Sequence, residues 1–186
     1  LTISNSTFAN QSGQVSGFIS LKAKSLLRVL NSEFTHGRAL LQAGAIYSQF
    51  SQVVVFNSEF SNLIGTRGVI GCALDSNISI ADSLIKDSQS FSGVILSEGG
   101  NQELLRTTIR NSTSSALVLN KAKRSSIKKS SIEFCTGTKG GALVSFDSEF
   151  VEILESKFLN NTADTFGGAA FFKKVSSQST YEILNT

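Results

Sequence analysis

The sequence predicts an all-β chain that winds as a right-handed parallel β-helix solenoid, open at both ends, with about seven coils of 23 to 27 residues. Two observations lead to this prediction. A hydroxyl residue recurs with apolar neighbours at fixed offsets, and a ladder of small residues follows it in each unit. A fixed period in this range is typical of stacked repeats, in which each unit contacts only its neighbours.

The first pattern is a hydroxyl residue with an apolar residue two positions later. The hydroxyl residues are Ser6, Ser32, Ser58, Ser83, Thr107, Ser130 and Ser156. The apolar residues form the predicted structural ladder, Phe8, Phe34, Phe60, Ile85, Ile109, Ile132 and Phe158. A second apolar series lies three positions before each hydroxyl, at Ile3, Val29, Val55, Ile80, Leu104, Ile127 and Ile153. Since stacked coils bring equivalent residues to about 4.8 Å, each series is expected to form a continuous internal column.

The second pattern is a ladder of small residues, each followed by small or β-branched apolar residues. Its members are Gly17, Gly44, Gly68, Gly93, Ser115, Gly141 and Gly168. Runs such as VVVF, GVIL and ALVL are rich in Val, Ile and Leu and are bounded by Ser, Asn, Gly and Asp, which is typical of short strands. No apolar pattern with a helical period persists over ten residues, so helical repeats are not predicted.

The residue before each hydroxyl is always polar. These residues are Asn5, Asn31, Asn57, Asp82, Arg106, Lys129 and Glu155. Because Asn and Asp tolerate left-handed backbone, this position is interpreted as the bend between two strands. Arg106, Lys129 and Glu155 fit that interpretation less well. The hydroxyls themselves would point inward, where each needs a partner in a neighbouring coil or in the turn.

Length and repeat together predict a single β-helix segment, 1–186. The chain has no Met, it enters at a strand, and its last residues begin an eighth unit with Ile183 and Thr186 in the repeated positions. We therefore expect a segment of a longer repeat protein. No apolar run approaches the roughly 20 residues of a membrane helix, so membrane contact is expected only through parts of the chain not present.

The two cysteines, Cys72 and Cys135, lie in different units of the repeat. The stacking distance separates those units by roughly 14 Å, whereas a disulfide needs Cα atoms within about 7 Å. The sequence therefore predicts two free, mostly buried thiols.

Three short motifs near the C-terminal end resemble a known family. GGAL at 140–143, GGAA at 167–170 and FLNN at 158–161 are similar to the GGA(I/L/V) and FxxN repeats of polymorphic outer-membrane proteins. More loosely, the chain resembles pectin-lyase-like repeat regions of large surface proteins. The resemblance implies a β-helix passenger or ectodomain and no particular activity.

Four asparagines are candidate glycosylation sites, since each begins an Asn-x-Ser/Thr sequence: Asn5, Asn10, Asn111 and Asn160. Asn77 also fits the pattern but precedes a core residue. Glycosylation would place the chain outside the cell or at its surface. The alternatives are ordinary polar turns and an intracellular assembly protein with reduced thiols.

A basic cluster, Lys121, Lys123, Arg124, Lys128 and Lys129, is a candidate contact for an anionic partner. Such a strip would suit an anionic polysaccharide or an acidic protein surface, and the alternative is a solvated edge with no ligand. Nucleic acid is not expected, because no aromatic residue is interleaved with the cluster.

No catalytic residue, metal ligand or cofactor is predicted. The carboxylates Asp82, Asp87, Asp147, Glu149 and Asp164 form no cluster when the units are stacked, although hydrolysis would need a pair of them and lyase chemistry a calcium site. His36 is interpreted as a solvent-facing turn residue. GTRGVIGC at 65–72 lacks the lysine and the following helix of a phosphate loop.

These features predict a non-enzymatic structural or adhesive segment of a large cell-surface or secreted assembly protein. Its expected partners are other proteins or further copies of the repeat at the open ends, with glycans also possible. The alternative is a carbohydrate-binding or polysaccharide-active pectin-lyase-like domain that uses the basic edge.

Overall fold

A computed structural model describes residues 1–173 and 180–184. All the regular secondary structure in that part of the chain is β-strand, and every strand pairing is parallel. The chain passes through four sheets in turn and then begins again, so each coil places its strands on those of the coil before. Seven coils are complete, and 180–184 supplies the first strand of an eighth. The prediction of an all-β solenoid of about seven coils is confirmed.

Two sheets meet at the bend predicted before each hydroxyl. Sheet 1 stacks Thr2–Ser4, Leu26–Leu30, Gln52–Phe56, Asn77–Ala81, Asn101–Leu105, Arg124–Lys128, Phe150–Leu154 and Thr180–Leu184. Sheet 2 stacks Thr7–Ala9, Glu33–Thr35, Glu59–Ser61, Leu84–Lys86, Thr108–Arg110, Ser131–Glu133 and Lys157–Leu159. Coils are numbered here from their sheet 1 strands, so that coil five begins with Asn101–Leu105.

The other two sheets complete each coil. Sheet 3 has strands of two residues, Ser12–Gly13, Arg38–Ala39, Ile64–Gly65 and Gln89–Ser90, and resumes as a separate pair, Thr136–Gly137 and Thr162–Ala163. Sheet 4 stacks Ile19–Leu21, Ile46–Gln49, Ile70–Ala73, Ile95–Glu98, Leu117–Asn120, Leu143–Phe146 and Ala170–Lys173. Sheet 3 is interrupted at coil five.

The core is a set of internal columns in which like residues lie over like. Phe34 pairs in register with both Phe8 and Phe60. The ring centroids are 4.8 Å and 4.9 Å apart, and the stacked rings are nearly parallel, with an interplanar angle of 3° in both pairs. The column continues in register through Ile85, Ile109 and Ile132 to Phe158. Since stacked rings add to the free energy of burial, this column is a main source of stability.

Three corners turn each coil, and they use left-handed backbone. The corner between sheets 1 and 2 (corner 1) has φ between 46° and 51° in every coil, including Arg106, Lys129 and Glu155. The predicted bend is therefore confirmed even where the residue is not Asn or Asp. A second left-handed column, corner 2, lies between sheets 2 and 3 and contains Asn10, His36, Asn62, Asp87, Asn111, Phe134 and Asn160. Corner 3, between sheets 4 and 1, uses residues such as Phe50, Lys121 and Asp147.

The serine that follows corner 1 ties each coil to the next. The backbone N–H of Ser32 donates to Ser58 Oγ at 3.1 Å, and that of Ser58 donates to Ser83 Oγ at 3.1 Å. The Ser58 hydroxyl donates in turn to the carbonyl of Phe56 at 2.9 Å. Each inward hydroxyl is thereby satisfied, which offsets the cost of burying it.

Cys72 and Cys135 are both free and buried, as predicted. The Cys72 thiol accepts a hydrogen bond from Ser48 at 3.2 Å, and burial raises its pKa to about 11. A thiol in this state is a packing residue, because the thiolate is the reactive form. Within the described residues no helix is long and apolar enough to cross a membrane.

Candidate functional site

Corner 1 lines a polar groove of about 850 Å³ on the outside of the stack. In the first three coils the groove is floored by an amide ladder, in which Asn31 Nδ2 donates to Asn5 Oδ1 at 3.3 Å and Asn57 Nδ2 donates to Asn31 Oδ1 at 2.9 Å. In the later coils the same column pairs opposite charges, Asp82 with Arg106 and Lys129 with Glu155. The column therefore joins neighbouring coils by polar contacts of two kinds.

The Asp82–Arg106 pair has the geometry of a two-point salt bridge. Arg106 Nε lies 2.5 Å from Asp82 Oδ1 and Arg106 Nη2 lies 2.7 Å from Asp82 Oδ2. These hydrogen bonds hold the pKa of Asp82 below its usual range. Such forked pairs are geometrically specific as well as attractive. Asp82 is thus used in a contact between coils.

The four candidate glycosylation sites all lie at left-handed corners with exposed side chains. Asn5 is in corner 1, whereas Asn10, Asn111 and Asn160 are in corner 2. The Asn111 amide donates to Asp87 Oδ1 at 3.2 Å. The Asn5 amide accepts from Asn31 through its oxygen, so its nitrogen can take a sugar without loss of that bond. Glycosylation of the four asparagines stays a prediction.

The basic cluster is divided between the two edges of sheet 1. Lys121, Lys123 and Arg124 lie at or beside corner 3, whereas Lys128 and Lys129 lie at the corner 1 end of the strand Arg124–Lys128. Three of the five are paired with acids, as detailed next, so the sequence cluster is not one strip in the structure. Binding of an anionic partner by these residues stays a prediction.

The pairs of the basic cluster link coils. Lys128 Nζ lies 2.9 Å from Glu152 Oε2, and Lys129 Nζ lies 3.7 Å from Glu155 Oε2. Lys123 Nζ reaches back to Asp75 Oδ1 at 3.5 Å. The hydrogen bond from Lys128 holds the pKa of Glu152 below its usual range. The two exposed pairs, Lys129–Glu155 and Lys123–Asp75, contribute little each, about 0 to 1 kcal/mol.

A cleft interrupts the wall of the stack at coil five. The segment between sheets 2 and 4 is 111–116 in that coil, but 87–94 in coil four and 134–142 in coil six. Because the neighbouring coils keep longer segments, the wall recedes and leaves a cavity of about 370 Å³. We call this cavity the coil-five cleft.

The coil-five cleft has a hydroxyl floor and an aromatic, charged rim. Phe91 stands at the rim with 88% of its surface exposed. Lys139 Nζ lies 4.9 Å from the centroid of the Phe146 ring, and Asp164 stands on the same rim. Ser114 lines the cleft, and its Oγ is buried with no hydrogen-bond partner among the described residues. An unpaired buried hydroxyl costs free energy, so a polar group bound beside it would be stabilised.

The sequence contained the signal for this cleft, although it was not recognised as a site. The interval from Thr107 to Ser130 is 23 residues, and Ser115 replaces the glycine of the small-residue ladder. A shorter unit between longer ones must leave a gap in a stack. The depth of that gap depends on neighbouring side chains, which the spacing alone does not describe.

His36, the glycine-rich stretch and the metal-binding residue types were also considered in the sequence. His36 is exposed at corner 2, as predicted, and its Nδ1 lies 2.8 Å from Thr35 Oγ1. The glycine-rich stretch at 65–72 runs into a strand, Ile70–Ala73. Within 1–173 and 180–184, no group of three or more His, Cys, Asp or Glu side chains is placed to hold a metal ion.

Comparison with known proteins identifies one family. The family model described as "right handed beta helix region" matches residues 1–185. A search among curated proteins and a search among solved structures each returned no match.

Proposed function

Since this chain belongs to the right-handed β-helix region family, we propose that it is a non-enzymatic structural or adhesive segment of a large cell-surface or secreted assembly protein. The observation that carries the proposal is that its repeated residues pair with their own counterparts one coil away. The phenylalanine column, the corner serines and the asparagine ladder all do so. The repeated chemistry thus builds a continuous rod.

The ion pairs support the same proposal. Acids and bases on the surface join coils, as in Asp82–Arg106, Lys128–Glu152 and Lys86–Glu59. A rod of this kind holds whatever it carries at a fixed distance, since each coil adds about 4.8 Å. It also offers broad lateral faces to partners.

Removal of one coil in register tests the proposal. Deletion of residues 31–56 joins Leu30 to Asn57 and keeps every column intact, because the deleted length is the 26-residue interval from Ser32 to Ser58. A scaffold should remain folded and shorten by about 4.8 Å in solution scattering. Loss of folding, or a specific activity in the intact chain such as release of unsaturated uronate, would count against a purely structural role.

The proposed location is extracellular or at the cell surface. The exposure of Asn5, Asn10, Asn111 and Asn160 at corners is compatible with attached sugars. Expression through a secretory pathway followed by peptide mass spectrometry tests this placement. Sugar on these asparagines is the expected result, and four unmodified asparagines would remove the main argument for it.

The coil-five cleft favours a second candidate function, which is glycan binding. An exposed aromatic ring can stack on a sugar face, while Lys139, Asp164 and the Ser114 hydroxyl provide charged and hydrogen-bonding groups. The test is a glycan array with the native chain, the variants Phe91→Ser and Lys139→Ser, and Leu41→Ser as a control. Leu41 is exposed and lies outside the cleft. Binding lost only in the two cleft variants would place this candidate above the scaffold role.

A further inference from the structure

The outer face of sheet 1 is built from three columns of side chains. In the five-residue strands of coils two to seven the second and fourth residues are buried, and the first, third and fifth point outward. The fifth-residue column is apolar through four successive coils, at Leu30, Phe56, Ala81 and Leu105. Phe56 is 44% exposed. Contiguous apolar surface of this kind marks an interaction site in soluble proteins.

Two strands of this face, the second and the seventh of its eight, complement each other residue by residue. In coil two the outward residues are Leu26, Arg28 and Leu30. In coil seven they are Phe150, Glu152 and Leu154. The order apolar, charged, apolar is the same in both, and the two charges are opposite.

We propose that this face binds a second copy of the chain, face to face, about a two-fold axis that runs parallel to the strands between coils four and five. Such an axis reverses the order of the coils and keeps each column opposite itself. Coil two of one copy then lies on coil seven of the other. Arg28 meets Glu152 of the second copy twice in each dimer, with leucines and a phenylalanine on either side.

The inner coils agree with the same arrangement. Coil three lies on coil six, which brings Phe56 to Lys128 and Gln52 to Arg124 of the second copy. An ammonium group over an aromatic face is attractive. Coil four lies on coil five, which brings Ala81 to Leu105.

Two other arrangements place like charges together. A shift by one coil towards the eighth strand puts Glu103 opposite its own copy. A two-fold axis along the stack puts Arg28 opposite Arg28 and Glu152 opposite Glu152. Because like charges in contact oppose association, both are less favourable than the proposed arrangement, which pairs Arg28 with Glu152.

The two charges that would meet differ in their surroundings, since Arg28 is exposed whereas 16% of the Glu152 side chain is exposed beside Lys128. Arg28 makes no ion pair among the described residues. Among the described residues, Lys128 and Ser126 both bind Glu152 through Oε2. The proposed contact with the guanidinium of the second copy is through the other carboxylate oxygen, Oε1.

The size of the face sets the expected strength. Six strands about 4.8 Å apart, each of five residues, give a footprint of roughly 29 by 16 Å on each copy. This is at the small end of specific interfaces, so weak association is expected, and chain concentrations of roughly 10 to 100 μM are the range to test. The pairing does not depend on whether the coil stack serves as a scaffold or binds glycans.

Sedimentation velocity of the native chain and charge-reversal variants, across that concentration range, tests the proposal. The native chain should shift from monomer to dimer, and Arg28→Glu or Glu152→Arg should each raise the dissociation constant at least about tenfold, because each affects two contacts per dimer. The double variant Arg28→Glu/Glu152→Arg should recover to within about threefold of the native value. Arg38→Glu, which reverses an exposed charge on sheet 3, should leave association unchanged.

Melting curves at low concentration separate association from folding. Glu152→Arg also removes the ion pair with Lys128. The comparison therefore requires that the monomer of this variant keeps the native circular dichroism spectrum. If the spectrum changes, Glu152→Gln takes the place of Glu152→Arg and is compared with Arg28→Glu. A chain that stays monomeric throughout, or a dimer that Arg28→Glu leaves intact, would overturn the proposal.

Discussion

Coils two and three and coil five come from the same repeat but pair their side chains differently. In the former, Phe34 stacks on Phe60 and Asn57 donates to Asn31, so each residue meets a residue of its own type. In the latter, Arg106 meets Asp82 and a cleft opens beside Ser114. The regular coils therefore stack like residues on like, whereas the irregular coil pairs unlike side chains and leaves a cavity on the surface.

Coil five also lacks the serine that follows corner 3 in earlier coils, where Ser51 and Ser76 bond neighbouring backbone. Gln102 compensates from inside the stack. Its Nε2 donates to the carbonyl of Gly99 at 2.9 Å, and its Oε1 accepts from Ser125 at 2.6 Å. An irregular coil thus keeps its buried polar groups paired by a different side chain.

The largest expected effect comes from the regular column. Phe60→Ala should lower the free energy of unfolding by about 3 to 5 kcal/mol, because Phe60 is fully buried and stacked on Phe34. Phe91→Ala, at the rim of the irregular coil, should change it by no more than about 0.5 kcal/mol. Urea unfolding of both variants measures the difference. Equal losses would mean that the two regions do not differ as described.

Two buried serines give a closer comparison, since they are similarly buried and differ in their partners. Ser58→Ala should cost about 1 to 3 kcal/mol, because it leaves the Ser32 N–H without an acceptor. Ser114→Ala should be neutral or slightly stabilising, because that hydroxyl has no partner in the described residues. The same urea experiment applies. A costly Ser114→Ala would show that the cleft hydroxyl is paired after all.

The charged corner should respond to acid, whereas the amide corner should not. The pKa of Asp82 is lowered in the fold, so its contribution to stability is present above the unfolded pKa and is lost as pH falls through the lowered value. Arg106→Gln should raise the pKa of Asp82 towards its usual value, as followed by carboxyl carbon chemical shifts. Glu152 is the internal control, since its pKa is lowered by Lys128 and should not move.

The smallest effect is expected at the surface of a regular coil. Glu59→Lys should change the free energy of unfolding by no more than about 0.5 kcal/mol, although it exchanges the Lys86 ion pair for a like-charged neighbour. Glu33 lies in register with Glu59, so the substitution also replaces a like-charged neighbour of Glu33 by an oppositely charged one. A loss of 2 kcal/mol or more, on the order of a core substitution, would mean that this side chain is not on the outside.

The fold could be predicted from the sequence because equivalent residues in a stacked repeat make the same contact in successive coils. The register from Ile3 through Val29 to Val55, and from Phe8 through Phe34 to Phe60, is the one that the spacing predicts. Left-handed backbone at Arg106 could not be read from residue type, because Arg has no local preference for it. Its neighbours in the column impose that conformation.

The surface was less predictable because it depends on where a strand begins and ends. Lys123 and Lys128 are close in sequence, but one five-residue strand carries them to opposite edges of sheet 1. Their acids, Asp75 and Glu152, lie far away in sequence. The coil-five cleft is likewise lined by residues of four coils, so no single unit of the repeat indicates it.

The central claim is that equivalent side chains of neighbouring coils lie directly over one another. Nuclear Overhauser contacts between ring protons, in a chain labelled only at phenylalanine and assigned by single Phe→Leu variants, test it most directly. Phe34 should show contacts to both Phe8 and Phe60, at the 4.8 Å and 4.9 Å centroid separations, and Phe8 should show none to Phe60. Absence of the two Phe34 contacts, or a direct contact between Phe8 and Phe60, would contradict the stacked register.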